Sequence, residues 1–348
     1  MTEQLVENIS NAVSEGRLVD GDVLPSIKRI AAMSGACEMV VREAIRRLSA
    51  DGVVRPRRHV GCVVRPGGYR LLRGHVLLVT QQLSTCHGSA VQAIIRDRLI
   101  RAGYYVTQSY VLWQDGKPDF QHLDEALSHP LSLVISLAPR WGISERIAAR
   151  GIRLLACGTP VKEGLQGCAS LRLDPSSAQM AFVERCRGAG IKSVLHIRMN
   201  KVDRVDEALM ALGVKVKTLK LEPREANNGV EEAELGTLEM IERKFRRGKG
   251  WLPDLIFSSD DYMTRGMLTA FAHHGVRVPE DVRLVTMANR GNGPWYFKSI
   301  ARIERDWETY GEEIAATALR MLKGKRIASR ALPFASYIDG ETFPGKTI

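Results

Sequence analysis

The densest group of charged side chains lies near the N-terminus. Residues 42–74 hold nine arginines against two acidic residues, although residues 1–41 carry more acidic than basic groups. The guanidinium group presents its donors in a planar fork that matches phosphate oxygens and the major-groove edge of guanine. The arginines therefore predict contact with nucleic acid, unless they line only a solvated helix face and loop. The elements that carry them decide between these interpretations.

Three short helices are predicted in the first 50 residues. Apolar residues recur at helical spacing over 2–14 and again over 38–50, where basic residues occupy the opposite face. Between these helices, Ser26 is placed to cap a short helix over 27–33. Glycines follow the second and third helices and predict where they end.

A basic hairpin is predicted directly after the third helix. The β-branched runs 53–54 and 60–64 flank the segment 55–59, which contains three arginines and a histidine. Helix, turn, helix and basic hairpin are the layout of a winged helix-turn-helix domain. Such a domain inserts its third helix into the major groove and lays its hairpin, the wing, against phosphates or the minor groove.

The first 66 residues resemble the DNA-binding domain of GntR-type transcription regulators. The shared residues are Leu24, Pro25, Ser26, Ala31, Gly35, Val41, Arg42, Glu43, Ala44, Arg46, Arg47, Leu48, Gly52, Gly61 and Val64. The resemblance implies that a double-stranded DNA operator is the partner. It also implies DNA contacts by Arg42 on the third helix, by Lys28 and by Arg58 on the wing.

Eight residues are predicted to contact DNA. They are Lys28, Glu38, Met39, Arg42, Arg46, Arg57, Arg58 and His59. The recognition helix differs from the family, because Cys37, Glu38 and Met39 stand where small polar or basic residues are usual. His59 replaces the glycine of the wing tip. Glu38 is unfavourable near phosphate but can accept a hydrogen bond from cytosine N4, so we expect an operator unlike the common family pattern.

Strand-like and helical runs alternate through the rest of the chain. They form two successive series, from 75 to 156 and from 178 to 287. Such alternation predicts α/β lobes with doubly wound parallel sheets, and two series predict two lobes with a ligand cleft at the carboxyl ends of the strands. The predicted domains are a winged helix-turn-helix over 1–66, a linker over 67–74 and a two-lobed domain over 75–348.

Composition and missing motifs argue against other classes of protein. The chain has 348 residues, 45% of them hydrophobic, and its longest apolar stretch, 131–139, is too short to span a bilayer. The first residues lack the basic start and apolar run of a signal peptide, which predicts a cytoplasmic location. Six cysteines without CxxC or zinc spacing predict free thiols. No nucleophile elbow, P-loop or zinc-protease motif occurs, so we expect no enzymatic activity, no cofactor and no metal.

Residues 255–285 resemble the sensor domains of LacI/GalR-type regulators. There a strand ends in a polar pair, the following helix has a glycine, and the segment GVRVPEDV leads into the next strand. The resemblance spans about 75–340 and implies a two-lobed, periplasmic-binding-protein-like sensor. Behind a GntR-type DNA-binding domain, this arrangement is similar to that of arabinose-repressor-like regulators.

The same resemblance, together with the strand-end loops, predicts seven effector-binding residues. They are Gln82, His87, Arg140, Arg198, Lys201, Asp260 and Asn289. Asn289 stands where the family has an aspartate, and Arg198 and Arg204 are near alternatives to Lys201 for the family's arginine. A polyol needs paired donors and acceptors and an aromatic face, so the expected effector is a sugar or sugar derivative. The candidates for stacking are Trp113, Trp141 and Trp295.

These features together predict a cytoplasmic, homodimeric transcription regulator, a repressor controlled by a carbohydrate-like effector. The alternative is a constitutive DNA-binding regulator whose second domain serves only dimerisation. A regulator fused to an aminotransferase-like enzyme would need a longer chain, and the DNA-binding domain argues against a free periplasmic sugar binder.

Overall fold

The computed structural model describes most of the chain. The described residues are 1–14, 17–65, 73–81, 86–114, 117–138, 142–199, 204–221, 229–246 and 248–344. The chain divides into two compact units, Met1–His75 with Leu99–Tyr105, and Val76–Arg98 with Val106–Ile348. Most of the predicted linker, 67–74, lies outside the described residues, so the predicted domain boundaries stay a prediction.

The N-terminal unit has the predicted winged helix-turn-helix fold. Its elements are α1 (Thr2–Ser14), α2 (Ile27–Ser34), α3 (Glu38–Ala50), β1 (Val54–Arg57) and β2 (Gly61–Val64). Ser26 caps α2 as predicted, because its hydroxyl accepts a hydrogen bond from the Arg29 N–H at 3.3 Å. Gly35 ends α2 with φ +67°, in the left-handed region that favours glycine.

One apolar core joins the three helices to the hairpin. The apolar face of α3 supplies four buried side chains, and the hairpin adds valines from both strands. The core is formed mainly by Leu5, Leu24, Ile30, Val41, Ala44, Ile45, Leu48, Val54 and Val64. Since β1 and β2 pair antiparallel from Val54 opposite Val64 to Arg57 opposite Gly61, the wing is anchored at its base and exposed at its tip.

The larger unit contains two sheets, each forming the centre of a lobe. The first sheet has seven strands in the order β14-β8-β7-β6-β3-β4-β5, and its β14, β8, β7, β6 and β3 pair in parallel. The elements of this series are β3 (His75–Gln81), α4 (Cys86–Arg101), β4 (Tyr105–Gln114), β5 (Lys117–Asp119), α5 (Gln121–Ala126), β6 (Leu133–Ser136), α6 (Ile143–Ala148), β7 (Leu154–Cys157), β8 (Cys168–Asp174) and β14 (Arg330–Pro333).

The second sheet has six strands in the order β10-β9-β11-β12-β13-β15, parallel except for the antiparallel pair of β13 and β15. The elements of this series are α7 (Ser176–Gly188), β9 (Ser193–Arg198), α8 (Arg204–Ala211), β10 (Lys215–Lys220), α9 (Gly229–Phe245), β11 (Leu255–Ser258), α10 (Asp261–His273), β12 (Arg283–Asn289), β13 (Ala301–Arg305) and β15 (Ala335–Ile338). The helix after β13, α11 (Trp307–Leu322), packs against the first sheet, where the hydroxyl of Tyr310 donates to the carbonyl of Leu171 in β8 at 3.0 Å. The predicted α/β class with two parallel-rich sheets is confirmed.

The chain passes between the two sheets three times. It leaves the first sheet after β8, returns to it after β13, and crosses again between β14 and β15. Two of these crossings lie side by side, because the N–H of Asp306 donates to the carbonyl of Phe334 at 2.8 Å. None of the helices in the described part of the chain has the length and apolar character needed to cross a membrane.

Candidate DNA interface and effector site

The solvent-facing side of α3 carries the predicted recognition residues. Met39 is 76% exposed, the Arg42 side chain is 66% exposed, and Glu38 and Arg46 follow the same face at helical spacing. The opposite face of α3 is buried in the core of the domain, and this packing fixes the orientation in which the helix presents its exposed residues. The geometry is that of a helix presented to a groove.

The arginines of α3 differ in how firmly the protein holds them. Glu43 accepts hydrogen bonds from Arg46 at 2.7 and 2.8 Å and from Arg47 at 3.0 Å. These bonds, from Arg46 first and Arg47 second, lower the pKa of Glu43 to about 2. Arg42 has a looser ion pair, 3.6 Å from Glu38. Arg42 can therefore turn toward a base at little cost, whereas Arg46 must exchange two hydrogen bonds to do so.

The wing presents its predicted residues to solvent. Arg57, Arg58 and His59 are exposed, and the N–H of Val60 donates to the carbonyl of Arg57 at 3.1 Å to close the turn. His59 has φ +65°, a backbone conformation that costs about 1 kcal/mol or more for a residue with a Cβ. His59 therefore replaces the family's glycine at a position whose backbone conformation favours glycine. Lys28 is also exposed, in the first turn of α2.

The carboxyl edge of the second sheet gathers the described effector candidates. Ile197 of β9 lies opposite Ser258 of β11, and Ser258 lies opposite Thr286 of β12. Because these neighbouring strands are parallel, Arg198, Asp260 and Asn289 emerge at one edge of the sheet. Ligands of doubly wound folds bind at this kind of edge.

Arg198 brings a largely buried guanidinium to this edge. Its side chain is only 16% exposed, and its Nη1 forms an ion pair with Asp206 Oδ2 at 3.2 Å without the geometry of a hydrogen bond. Its Nε is also buried and has no hydrogen-bond partner among the described residues. Buried donors without partners are rare in folded proteins, so a bound molecule with acceptor oxygens is the natural complement.

Asp260 adds a carboxylate at the same edge of the sheet. It is the N-cap of α10, where its Oδ1 accepts the N–H of Tyr262 at 2.9 Å. Burial, and then the negative charge of Asp261, raise its pKa to about 6, against the favourable effects of the cap and of Arg305. Near neutral pH the carboxylate is thus charged but poorly solvated, and hydroxyl donors of a ligand would stabilise it.

Asn289 has a different environment from the one that a ligand contact requires. Its amide nitrogen donates to Asp261 at 2.9 Å, and its carbonyl oxygen accepts from the indole N–H of Trp307 at 2.5 Å. Both polar ends of this buried side chain are thus occupied by protein partners. Direct contact of Asn289 with an effector stays a prediction. In the structure, Asn289 connects α10 to α11 through its hydrogen bonds with Asp261 and Trp307.

A buried network that the sequence analysis did not identify supports Arg198. His196, fully buried, lies with its Nδ1 2.6 Å from Asp206 Oδ1 and its Nε2 2.6 Å from Ser259 Oγ. Asp206 therefore contacts both His196 and Arg198, while Ser259 precedes Asp260. The only signal in the sequence was a polar residue inside an apolar strand, which does not reveal its partners.

This Ser-His-Asp geometry resembles that of a nucleophilic triad, but its surroundings suit ligand binding better. The charge of Asp260 lies beside Ser259 and would oppose a developing oxyanion. The N–H of Ser259 donates to Ile197 and that of Tyr262 to Asp260, so both are already used. We infer that the network serves to orient the hydroxyl of Ser259 and the guanidinium of Arg198.

The remaining effector candidates cannot be placed in the same way. Gln82, Arg140 and Lys201 lie outside the described residues, and His87 belongs to α4 with its side chain outside the description. Of the three tryptophans predicted to stack on the effector, Trp295 is the one whose side chain the structure describes, and it is 96% exposed after β12.

In the first lobe, a cavity of about 400 Å³ lies at the carboxyl ends of β6 and β7, lined by Ser136, Ala138, Gly142, Ile143, Ser144, Glu145, Thr159, Pro160, Val161 and Lys162.

Two family models match this chain. Residues 1–64 match the model described as bacterial regulatory proteins, gntR family, and residues 183–343 match the periplasmic binding protein-like domain. The HTH-type transcriptional regulator GalR of Streptococcus thermophilus is 25% identical over 95 residues, which are 27% of this chain and 27% of that protein. The HTH-type transcriptional regulator Mce2R of Mycobacterium tuberculosis is 42% identical over 55 residues, 16% of this chain and 23% of that protein. The chain thus spans about a quarter of the length of these curated relatives.

Solved structures share the fold over a larger part of the chain. A LacI family transcriptional regulator from Arthrobacter sp. FB24, in complex with lactose, has a TM-score of 0.61 at 16% identity, covering 77% of this chain and 98% of that one. A LacI family regulator from Bifidobacterium animalis subsp. lactis has a TM-score of 0.60 at 16% identity, covering 77% and 97%. The chain therefore joins a helix-turn-helix domain that matches the gntR family model to a periplasmic-binding-protein-like domain with the fold seen in LacI family regulators.

Proposed function

We propose that this protein is a transcription regulator, a repressor, whose affinity for a DNA operator is set by a small carbohydrate-like effector. The observation that carries the proposal is the exposed face of α3, with Arg42 free to turn, in a domain that matches the GntR family. The exposed basic wing adds a second contact of the kind that such domains make with phosphates. The matched families are those of regulatory and binding proteins, and an enzymatic role has no support from them.

The effector side of the proposal depends on the second sheet. Arg198 offers a buried Nε that has no hydrogen-bond partner among the described residues, Asp260 offers a partly buried carboxylate, and Ser259 offers a hydroxyl held by His196. Paired donors and acceptors of this kind suit the adjacent hydroxyls of a sugar. A relative with the same fold binds lactose, which supports a sugar or sugar derivative as the effector class.

We also propose that the protein acts in the cytoplasm as a homodimer, with the domains divided at 1–66, 67–74 and 75–348. A two-fold symmetric dimer would contact two half-sites of a pseudo-palindromic operator. The effector can change operator affinity only by binding the two conformational states of the dimer unequally.

Replacing Arg42 with alanine tests the DNA contact. On the site that the wild-type protein selects from a random DNA pool, we expect Arg42→Ala to weaken binding by about 1–3 kcal/mol, because a base-reading guanidinium is lost. Binding to unrelated DNA should change much less. The substitution should leave the stability of the domain nearly unchanged, because the Arg42 side chain is exposed and its ion pair with Glu38 is loose.

Two further variants distinguish the loss of a base contact from the loss of a phosphate contact or of positive charge alone. Arg58→Ala should lower affinity for all sequences alike and reduce the slope of log K against log salt by about one, if Arg58 meets a phosphate. Arg330→Ala removes the same charge from the larger unit, where Arg330 pairs with Glu313 at 2.6 Å, and should leave operator binding unchanged. Wild-type affinity of Arg42→Ala for the selected site would contradict the assignment of α3 as the recognition helix.

A ligand panel separates the proposed function from its alternative. Thermal unfolding with sugars and sugar phosphates should show at least one compound that raises the Tm, because saturation at 100 times Kd stabilises the bound state by about 2.7 kcal/mol. The same compound should alter operator affinity in a gel-shift titration. If no compound changes either quantity, a constitutive regulator whose second domain only dimerises becomes the better description.

A further inference from the structure

The second lobe carries a cluster of three potential metal ligands on the outer ends of α9 and α10. The two helices approach unusually closely, because a Cβ at Gly266 of α10 would lie 2.0 Å from the carbonyl oxygen of Glu234 in α9. Their facing side is buried core, including Ile241, Phe245 and Phe271. Groups at the ends of this helix pair are therefore held in a fixed relation to each other.

Glu242 of α9 joins two consecutive histidines at the end of α10. Its Oε1 lies 2.8 Å from His273 Nδ1, and its Oε2 lies 2.8 Å from His274 Nε2. All three ligand atoms lie within 4.8 Å of one another. The ring of His274 is stacked on that of Phe245, with centroids 4.2 Å apart and planes inclined by 24°, which fixes its orientation.

We propose that Glu242, His273 and His274 bind a divalent transition-metal ion of the Zn²⁺ class. Two imidazole nitrogens and one carboxylate oxygen are a donor set that Zn²⁺ and its neighbours in the transition series accept at 2.0–2.2 Å. The ion would take the place of the two hydrogen bonds that now join the imidazoles to the carboxylate. Three protein ligands leave at least one position for water.

The surroundings of the cluster suit such an ion. A cavity of about 610 Å³ lies against Glu242 and His273 and leaves room for a water ligand. Arg243, on the cavity wall, is paired with Glu239 at 3.1 Å, so its charge near the ion is partly balanced.

The site is separate from the one proposed for the effector. Its three ligands belong to α9, α10 and the turn after α10, whereas the effector candidates of this lobe occupy the carboxyl edge of the sheet. The inference therefore does not rest on the proposed function, and failure of either leaves the other standing.

Titration of the untagged, chelator-treated full-length protein with Zn²⁺ tests the proposal. We expect one site per chain that is lost in His273→Ala/His274→Ala and weakened about tenfold or more in Glu242→Gln, which keeps the shape of the side chain and removes its charge. His122→Ala and His129→Ala, single histidines elsewhere on the surface, should bind as the wild type does. Circular dichroism should show all variants folded.

Co²⁺ in place of Zn²⁺ identifies the ligand atoms. The wild type should give visible d–d absorption without a thiolate-to-metal charge-transfer band, and this absorption should disappear in the double histidine variant. Undiminished affinity in that variant would overturn the proposal. A thiolate band would overturn it as well, because the ion would then lie at a cysteine such as the exposed Cys37.

Discussion

Replacing Asp260 with asparagine is expected to raise the free energy of unfolding at pH 8 by about 3 kcal/mol and to abolish the response to the effector. The gain arises because the folded protein holds this carboxylate with a pKa of about 6, above the 3.8 of a solvated aspartate. Each unit of such a difference corresponds to about 1.4 kcal/mol. Asparagine caps a helix as well as aspartate does, so α10 keeps its N-cap.

The difference in the free energy of unfolding between the variant and the wild type should depend on pH. Asp260 favours the folded state fully only when it is protonated, below its unfolded pKa, and this contribution is lost as the pH rises through about 6. The advantage of the asparagine variant should therefore fall to about half at pH 5 and vanish below about pH 4. Urea unfolding of the wild type and the variant at several pH values measures the difference.

Asp306 is the matched control, because it caps α11 as Asp260 caps α10. Burial acts to raise the pKa of Asp306, but the hydrogen bonds of Thr309 and the charge of Arg290 outweigh it, and the net shift is downward. Asp306→Asn should accordingly lower the free energy of unfolding at pH 8. If both variants are destabilised alike, Asp260 is not the poorly solvated carboxylate described above. If Asp260→Asn is more stable and still responds to the effector, its place in the binding site is wrong.

Replacing Gly266 with alanine is expected to lower the free energy of unfolding by about 3 kcal/mol, at the upper end of what overpacking costs. The added Cβ would lie 2.0 Å from the Glu234 carbonyl oxygen, which is backbone and cannot turn away. This effect exceeds the gain of about 1 kcal/mol that alanine brings to a helix interior. Since α9 must move, the same variant should also bind Zn²⁺ more weakly.

Gly188 provides the matched control for this substitution. It lies at the end of α7, and a Cβ there would meet nothing within 4 Å. Gly188→Ala should therefore leave the midpoint of urea unfolding unchanged or raise it. Equal stability of the two alanine variants would contradict the close approach of α9 and α10.

Much of the fold follows from local patterns in the sequence. Helical spacing of apolar residues gave α1 and α3 with the bounds that the structure has, and it separated the exposed face with Arg42 from the core face. The alternating runs of the larger unit also matched their elements within a few residues, and the strand over 255–258 is exact. These segments are long or strongly periodic, so their own residues determine their structure.

The strands that the pattern missed depend on distant partners. β8 pairs with β7 and with β14, which lies about 160 residues later in the chain, and β15 pairs with β13. β14 and β15 each have four residues with little alternation, so local sequence carries almost no signal for them. They are strands because a sheet edge is available at the end of a crossing.

The candidate site shows the same division. Asp260 was predicted at the end of its strand, where the sequence pattern places it. The partners of His196 could not be predicted, because Asp206 and Ser259 are 10 and 63 residues away. Asp206 meets His196 through the packing of α8, and Ser259 meets it through the parallel pairing of β11 with β9. The joining of Glu242 to His273 and His274 likewise depends on how two helices pack.

The paired crossings at Asp306 and Phe334 restrict how the two lobes can move. The backbones of the two crossing segments are joined by a hydrogen bond, so we expect the segments to move together and not to slide past each other. We therefore expect a relative motion of the lobes to be a rotation about an axis through these segments. Trp307, next to this axis, packs on Phe334 and donates its indole N–H to Asn289 at the effector edge. We expect such a rotation to change the contacts of this indole, so the fluorescence of Trp307 would report the angle between the lobes.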